Sequence, residues 1–187
     1  MRIARAATLT LFLALALTGC GASASAERTA RAGGGAEVRH ATVAYAVDGD
    51  TLRVRLSSGS LAYVRLVGID TPEDVRPGYP VECGARAAAA SMRRLAPEGA
   101  RVVLRRDSVA GDTDRYGRIL AHAFIAHRQL EIAQLRRGWS YVYRYEGQRF
   151  DGLARFRRAQ RSARRAHRGV WGRCGGDFHS AEPGTQH

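Results

Sequence analysis

The sequence predicts an α+β domain in which about three helices pack on a small closed barrel of five β-strands. Three observations support this prediction: five short strand-like segments succeed one another, tight-turn residues separate the first three of them, and helical segments interrupt and follow the strands. The chain has 187 residues, 45% of them hydrophobic, which is enough for about one domain with a core of its own.

The first three predicted strands are joined as consecutive hairpins. Asp48-Gly49-Asp50 is a tight-turn signal between the first two strands, and the second strand alternates apolar and polar residues with period two. The turn before the third strand is formed by the serine- and glycine-containing residues 57–60. The five predicted strands span residues 38–47, 51–56, 61–69, 101–106 and 118–125.

Three helices are predicted from composition and from their stop signals. An alanine-rich segment, residues 85–95, ends before Pro97, because proline cannot continue a helix. A short helix over residues 130–137 ends at Gly138, and a longer basic helix over residues 150–167 is followed by a further glycine.

The charge of the chain is strongly one-sided. Thirty basic residues, all of them arginine, outnumber 17 acidic ones and give a formal net charge of +13. Such an excess favours a polyanionic partner, either nucleic acid or an anionic membrane surface, because binding to phosphates releases condensed counterions.

The N-terminus, residues 1–19, is a predicted signal peptide. Two arginines precede an apolar run, residues 6–17, that is too short to span a bilayer. Leu17-Thr18-Gly19-Cys20 resembles the lipobox of bacterial lipoproteins, in which cleavage before the cysteine exposes it for lipidation. The sequence therefore predicts an exported cell-envelope lipoprotein anchored through Cys20, at the outer face of the plasma membrane or in the periplasm.

A second processing route remains open. Ala24-Ser25-Ala26 is an ordinary small-residue cleavage site, and cleavage near Ala26 would give a soluble secreted protein. Residues 20–36, rich in Ala, Gly and Ser, are a predicted flexible linker. The folded domain is expected to span residues 37–174, and residues 175–187 to form a disordered tail.

Cys83 and Cys174 form an even pair once Cys20 is assigned to the lipid. Outside the cytosol such a pair is expected to form a disulfide, which would join the C-terminal end to the middle of the domain. The alternative is two free buried thiols.

Charged residues cluster where the third predicted strand ends, in the segment RLVGIDTPE from Arg65 to Glu73. Part of this cluster is explained by turn chemistry, because Pro72 forces its predecessor into an extended conformation and ends the strand. Turn chemistry does not explain two further charged motifs, VDGDT at the first hairpin and DRYGR before the fifth strand.

These three motifs, followed by Tyr141-Val142-Tyr143 and by Gly169-Val170-Trp171, resemble the staphylococcal nuclease (thermonuclease) family in order and in spacing. The resemblance covers residues 43–171. It implies an OB-fold, a five-stranded barrel, and a Ca²⁺-dependent, sugar-nonspecific nuclease that cleaves the 5′-O–P bond of DNA and RNA and leaves 3′-phosphate ends. It also implies a monomer that prefers single-stranded or denatured substrate.

The resemblance implies a role for each residue that matches the motifs. Ca²⁺ would be bound by the carboxylates of Asp50 and Asp70 and by the main-chain carbonyl of Thr71, since calcium prefers hard oxygen ligands. Arg65 and Arg118 would hold the phosphate through paired N–H donors, a geometry that lysine cannot reproduce. Glu73 would position or deprotonate the attacking water.

Substrate contacts are implied at four further positions: Arg115, Tyr116, Tyr141 and Tyr143. Aromatic faces stack on bases with little sequence preference, and an arginine beside them adds phosphate attraction. An alternative for Tyr141 and Tyr143 is ordinary strand packing. The histidines, scattered along the chain, indicate no site.

The chain departs from the family pattern at Arg86, where the family has a glutamate in the first turn of a helix. A cation there opposes the helix dipole, which affects local stability and not the chemistry directly. Two other functions stay open: an inactive barrel that binds nucleic acid at the cell surface, and an arginine-rich envelope protein held on anionic lipid.

Overall fold

A computed structural model describes residues 38–73 and 80–179 of the chain. Its elements, in chain order, are β1 (Val38–Ala46), β2 (Thr51–Leu56), β3 (Leu61–Leu66), β4 (Ile69–Asp70), α1 (Ala85–Leu95), β5 (Arg101–Arg105), β6 (Ile119–Ile125), β7 (Arg128–Gln129), α2 (Leu130–Arg137), β8 (Tyr141–Val142), a 3₁₀ turn (Tyr145–Gly147), α3 (Leu153–Arg165) and α4 (Val170–Arg173). The predicted signal peptide, linker and lipidation site lie outside the described residues.

Five of the strands close a barrel, which confirms the predicted fold class. β1, β2 and β3 form an antiparallel meander, β5 pairs with β1, and β6 pairs with β5. Closure comes from a parallel pairing of β3 with β6, in which Val64 lies opposite Ile119 and Leu66 opposite Ala121. Closing the sheet pairs strand edges that would otherwise be left open.

Apolar residues at alternate positions of the strands fill the barrel. Leu52 and Val54 of β2 and Val64 and Leu66 of β3 are fully buried, as the period-two pattern predicts. The helices bury Met92, Leu135 and Phe156 against the same core. Removing such residues from water is the main force that holds the helices on the barrel.

The third predicted strand is shorter than the sequence indicated. Instead of running from residue 61 to residue 69, it ends at Leu66, and the chain turns at Gly68, which has a left-handed φ of 82°. A Cβ atom at Gly68 would lie 2.5 Å from the ring of Phe150, so only glycine fits there. After this break, β4 leaves the barrel and pairs with β8, placing Asp70 opposite Tyr141.

The last long helix also starts later than predicted, at Leu153 and not at residue 150, because Phe150 is buried in a loop against Gly68. The exposed face of α3 carries arginines, and its buried face carries Phe156, which is fully buried. No helix within residues 38–73 and 80–179 combines the length and the apolar character that crossing a membrane requires.

The predicted disulfide is present. Cys83 and Cys174 are bonded with a Cα–Cα distance of 5.9 Å across a separation of 91 residues. The bond joins Cys83, two residues before α1, to Cys174, directly after α4.

The chain stays folded beyond the predicted boundary at residue 174. Phe178 is 6% exposed, with ring centroids 5.0 Å from Trp171 and 5.2 Å from Tyr141. Residues 175–179 therefore belong to the packed domain, and the rest of the predicted tail lies outside the described residues.

A buried ion network lies between the barrel and the helices. Nδ1 of His122 is 2.8 Å from Oε1 of Glu131, and its Nε2 is 3.0 Å from Oδ2 of Asp107. Burial would lower the pKa of His122, but its hydrogen bonds to Asp107 and Glu131 raise that pKa to about 9. The imidazole is thus held as a cation donating to both carboxylates.

This network predicts a pH dependence of stability. Because the pKa of His122 is raised to about 9 in the folded state, its contribution is complete below its unfolded-state pKa and is lost as the pH rises towards and past 9. The loss should be on the order of 3 kcal/mol, since one pKa unit corresponds to ~1.4 kcal/mol.

Denaturant unfolding from about pH 6 to about pH 10 checks this, comparing His122→Gln with its parent, both in a His179→Ala background because His179 titrates in the same range. The stability difference between the two proteins should shrink as the pH rises. A difference that is constant with pH would contradict the prediction.

Candidate active site

A cleft of about 660 Å³ opens beside the end of β3. Most of the sequence-predicted site residues line it together: Asp50, Arg65, Asp70, Glu73, Arg115, Tyr116, Arg118 and Tyr143. Thr71 and Tyr141 lie behind this lining and contact it through hydrogen bonds. Segments that are far apart in sequence thus meet in one cleft.

The hairpin turn that carries Asp50 is held from two sides. Oδ1 of Asp48 accepts hydrogen bonds from the N–H groups of Asp50 (2.9 Å) and Thr51 (2.7 Å), which shapes the turn. Gly49 approaches Thr71 so closely that a Cβ atom would lie 2.8 Å from its side chain. The carbonyl of Gly49 accepts a 3.0 Å hydrogen bond from the buried amide of Gln134.

Asp50 is a buried carboxylate, 4% exposed. Its oxygens accept hydrogen bonds from the hydroxyls of Thr51 (3.1 Å) and Thr71 (3.0 Å), and Nη2 of Arg65 lies 3.3 Å away. Burial raises the pKa of Asp50 to about 8, against the opposing charge of Arg65. A carboxylate in this position is stabilised by any further cation that reaches it.

Arg65 is fixed by its own strand end. Its Nη1 donates to the carbonyls of Leu66 (3.0 Å) and Ile69 (2.8 Å), which the turn at Gly68 brings together. Its Nη2 donates to Oδ1 of Asp70 at 2.7 Å. A guanidinium can satisfy these acceptors at once because its donors diverge in a plane.

Asp70 is bound through both of its oxygens. Oδ1 contacts Arg65, and Oδ2 accepts hydrogen bonds from the Tyr141 hydroxyl (3.1 Å) and from Nε2 of His179 (3.2 Å). Burial would raise the pKa of Asp70, but the hydrogen bond from His179 and the charge of Arg65 lower it. Asp70 therefore stays ionised at neutral pH.

Glu73 lies at the rim of the cleft with its main chain anchored. Its N–H donates to Oε2 of Glu82 at 2.7 Å, and its carbonyl accepts from the N–H of Glu82 at 3.0 Å. Partial burial, together with the negative charges of Asp48 and Asp70, raises the pKa of the Glu73 carboxyl. A raised pKa suits a group that accepts a proton near neutral pH.

The loop before β6 presents Arg118. Oδ1 of Asp114 accepts from the N–H groups of Tyr116 (2.9 Å) and Arg118 (3.0 Å), and Oδ2 accepts from Nε of Arg118 at 2.7 Å. Within the described residues, Nη1 and Nη2 of Arg118 have no protein acceptor. Arg118 thus keeps a forked pair of donors for an anionic group in the cleft.

Tyr116 and Tyr143 differ from Tyr141 in what they offer to a ligand. Tyr116 is 67% exposed with Arg115 above its ring, and Tyr143 is 38% exposed at the cleft. The hydroxyl of Tyr141 is committed to Asp70, and its ring packs on Phe178. The geometry favours the first two as stacking faces and Tyr141 as a support for Asp70.

The residues present fit the implied calcium ion. Within residues 38–73 and 80–179, no group of three or more His, Cys, Asp or Glu side chains is arranged to hold a metal. What does converge is two carboxylates, Asp50 and Asp70, which share Arg65, with Thr71 next to them through the hydrogen bond from its hydroxyl to Asp50. The carboxylate of Asp50 is buried enough that a cation would stabilise it. Hard oxygen donors completed by water are the ligands that Ca²⁺ prefers.

Sequence reasoning missed several residues that shape this site. Asp48 and Asp114 lie inside the recognised motifs, so their positions were visible and only their anchoring roles were not. Glu82, Gln134 and His179 belong to none of the motifs and are brought in by tertiary contacts alone. The prediction that the histidines indicate no site is wrong for His179, whose Nε2 contacts Asp70.

Comparison with known proteins gives a consistent result. A family model described as "Staphylococcal nuclease homologue" matches residues 63–173. Thermonuclease of Staphylococcus hyicus is 30% identical over 126 residues, covering 67% of this chain and 71% of that protein. The SPbeta prophage-derived endonuclease YokF of Bacillus subtilis is 29% identical over 143 residues, 74% of this chain.

A probable endonuclease, LCL3 of Schizophyllum commune, is 29% identical over 123 residues, 58% of this chain. The chain spans 40% of the length of the fungal protein and 46% of the prophage protein. The family-model match runs from within β3 to the end of α4.

The burial of Asp50 predicts that this carboxylate lowers the stability of the metal-free protein. Since burial raises its pKa to about 8, ionising Asp50 destabilises the metal-free protein, and Asp50→Asn should be more stable than the parent at about pH 8 by at least ~1 kcal/mol. Urea unfolding in chelator measures this, with Glu98→Gln, an exposed carboxylate, as control. A lower unfolding midpoint for Asp50→Asn would contradict the prediction.

Proposed function

This chain belongs to the staphylococcal nuclease family, and from that premise we propose that it is a Ca²⁺-dependent, sugar-nonspecific nuclease. It would hydrolyse phosphodiester bonds of DNA and RNA and leave 3′-phosphate ends. The observation that carries the proposal is the convergence of Arg65, Glu73 and Arg118 with the carboxylates of Asp50 and Asp70 on one cleft.

The two arginines bind the scissile phosphate. Nη1 and Nη2 of Arg65 are held by the strand-end carbonyls and by Asp70, so Arg65 faces the phosphate as a fixed positive charge with Nε as its uncommitted donor among the described residues. Arg118 keeps Nη1 and Nη2 for the phosphate oxygens. Their attraction grows as negative charge builds on those oxygens during attack, which lowers the barrier.

Glu73 orients the attacking water and accepts its proton. The water oxygen forms a bond to phosphorus, the bond from phosphorus to the 5′ oxygen breaks, that oxygen takes up a proton from solvent and leaves as a hydroxyl, and the phosphate remains on the 3′ side. Glu82 fixes the main chain of Glu73 and so positions the carboxylate. Asp50, Asp70 and the main-chain carbonyl of Thr71 would hold Ca²⁺, which would supply positive charge that polarises the phosphate.

Substrate binding outside the phosphate is sequence-tolerant. Tyr116 and Tyr143 are exposed at the cleft, Tyr116 with the guanidinium groups of Arg115 and Arg118 over its ring, and stacking on such rings requires bases that are free to unstack. This favours single-stranded or denatured DNA and RNA. The net charge of +13 adds a general attraction for polyanions.

Export and anchoring complete the proposal. The motif at Cys20 supports a lipid-anchored envelope protein, with secretion after cleavage near Ala26 as the alternative. The disulfide between Cys83 and Cys174 supports an oxidising compartment, because such bonds are rare in the cytosol. We propose a monomer.

The nuclease proposal predicts selective losses of activity. Arg65→Ala, Glu73→Ala and Arg118→Ala should each lower kcat on denatured DNA and on RNA by ~10²- to ~10⁴-fold, because each removes a group that acts in the transition state. Arg158→Ala, which removes an exposed arginine of α3, should stay within about threefold of the parent.

Hydrolysis is followed with Ca²⁺, with chelator and with Mg²⁺, and the product ends are determined by phosphatase sensitivity. Cleavage that persists in chelator, or variants that keep parental activity, would contradict the proposed function. Binding without cleavage would favour a capture module at the cell surface.

A further inference from the structure

The chain continues past α4 into a short segment that returns to the active site. We call residues Cys174 to His179 the C-terminal strap. Its first residue is bonded to Cys83, and two turn hydrogen bonds follow, from the N–H of Gly176 to the Val170 carbonyl and from the N–H of Asp177 to the Cys174 carbonyl. Phe178 then inserts between Trp171 and Tyr141.

At the end of the strap, the imidazole of His179 bridges two acidic residues. Its Nε2 lies 3.2 Å from Oδ2 of Asp70, and its Nδ1 lies 3.0 Å from Oε2 of Glu82. The main-chain N–H of His179 donates to Oδ1 of Asp177 at 3.1 Å, and the ring packs edge-on to Tyr141, whose hydroxyl lies 3.1 Å from Nε2. Two independent anchors thus fix its position.

Both partners of His179 serve the proposed chemistry. Asp70 is a proposed calcium ligand, and Glu82, whose side chain is 9% exposed, holds the main chain of Glu73. His179 therefore contacts the proposed metal ligand Asp70 through a hydrogen bond, and it reaches Glu73, the residue that orients the water, through Glu82. Glu82 directly precedes Cys83, so the disulfide to Cys174 ties the start of the strap to the segment that carries Glu82.

We propose, building on the nuclease function above, that the C-terminal strap is a positioning element of the active site, in which His179 sets the orientation of Asp70 for Ca²⁺ and supports Glu82 under Glu73. The disulfide between Cys83 and Cys174 tethers the strap. His179 is a positioning residue and takes no part in bond making or breaking.

The direction of the effect follows from which oxygen is occupied. His179 and Tyr141 both contact Oδ2 of Asp70, which leaves Oδ1 as the oxygen paired with Arg65, whose Nη2 also contacts Asp50. Hydrogen bonds that orient a ligating carboxylate in this way typically change metal affinity by ~10- to ~100-fold. Without His179, Asp70 would keep only the Tyr141 contact on that oxygen.

A second consequence concerns charge. Asp70, Glu73 and Glu82 lie close together, and the imidazole stands between two of these carboxylates. Removing it leaves Glu82 with the N–H of Glu73 as its remaining partner among the described residues and increases repulsion near the water-orienting carboxylate. Loss of the strap should thus loosen the loop that carries Glu73 as well as the metal ligand.

The test uses the whole mature chain and two readouts, Ca²⁺ affinity by isothermal titration calorimetry without substrate, and kcat with KM on denatured DNA. His179→Ala should weaken Ca²⁺ binding by ~10-fold or more. Phe178→Ala should weaken it in the same direction, because it removes the anchor. His40→Ala, which changes an exposed histidine of β1, is the matched control and should leave affinity unchanged.

Two further variants separate positioning from simple packing. His179→Gln should recover part of the affinity, since its amide can still donate to Asp70. Replacing both Cys83 and Cys174 by serine should reproduce the affinity loss of His179→Ala without touching the cleft, and adding His179→Ala to that double variant should cost little more.

The outcomes distinguish the two levels of the proposal. A parent that neither binds Ca²⁺ nor cleaves overturns the nuclease function. A parent that binds and cleaves, with unchanged affinity in His179→Ala, overturns the strap inference alone. Tighter Ca²⁺ binding in His179→Ala also overturns it, because the imidazole would then be competing with the metal for Asp70.

Discussion

The structure depends on holding one guanidinium between two carboxylates at the point where a barrel strand ends. Arg65 reaches Asp50 and Asp70 with one nitrogen and two main-chain carbonyls with the other. Such a cluster is costly to bury unless every charge is paired and every donor is satisfied. The turn at Gly68 makes this pairing possible, because it brings the Ile69 carbonyl within hydrogen-bond distance of Arg65.

Much of the surrounding fold serves to fix that cluster. Gln134 ties the Asp50 hairpin to α1 and α2 through the carbonyls of Gly49 and Ala88. Phe150 fills the space beside Gly68 and lies next to Asp151, whose N–H donates to Asp107 in the second ion network. The buried histidine network and the cleft are therefore linked through this short loop, since Phe150 lines the cleft and its ring centroid lies 6.3 Å from that of His122.

In the metal-free fold, the protonated form of Asp50 is favoured over its ionised form. Burial raises the pKa of Asp50, and the same burial places its oxygens where a cation would be stabilised. Rigidity comes from the following contacts: β4 pairs with β8, the main chain of Glu73 is bound by Glu82, and the disulfide joins the C-terminal end to the segment before α1. A preorganised site of this kind needs little rearrangement during catalysis.

The sequence by itself determined the five strands, the three main helices, the disulfide and the residues of the three motifs. Period-two alternation, glycine and proline stops and closely spaced charges are local patterns, and local patterns report local structure. Only the tertiary structure decided where β3 breaks, that Tyr141 supports Asp70, and that His122 and His179 have acidic partners. His179 meets Asp70 across 109 residues and Glu82 across 97, and no local pattern encodes a partner at that distance, because it is chosen by closure of the barrel and packing of the last helices.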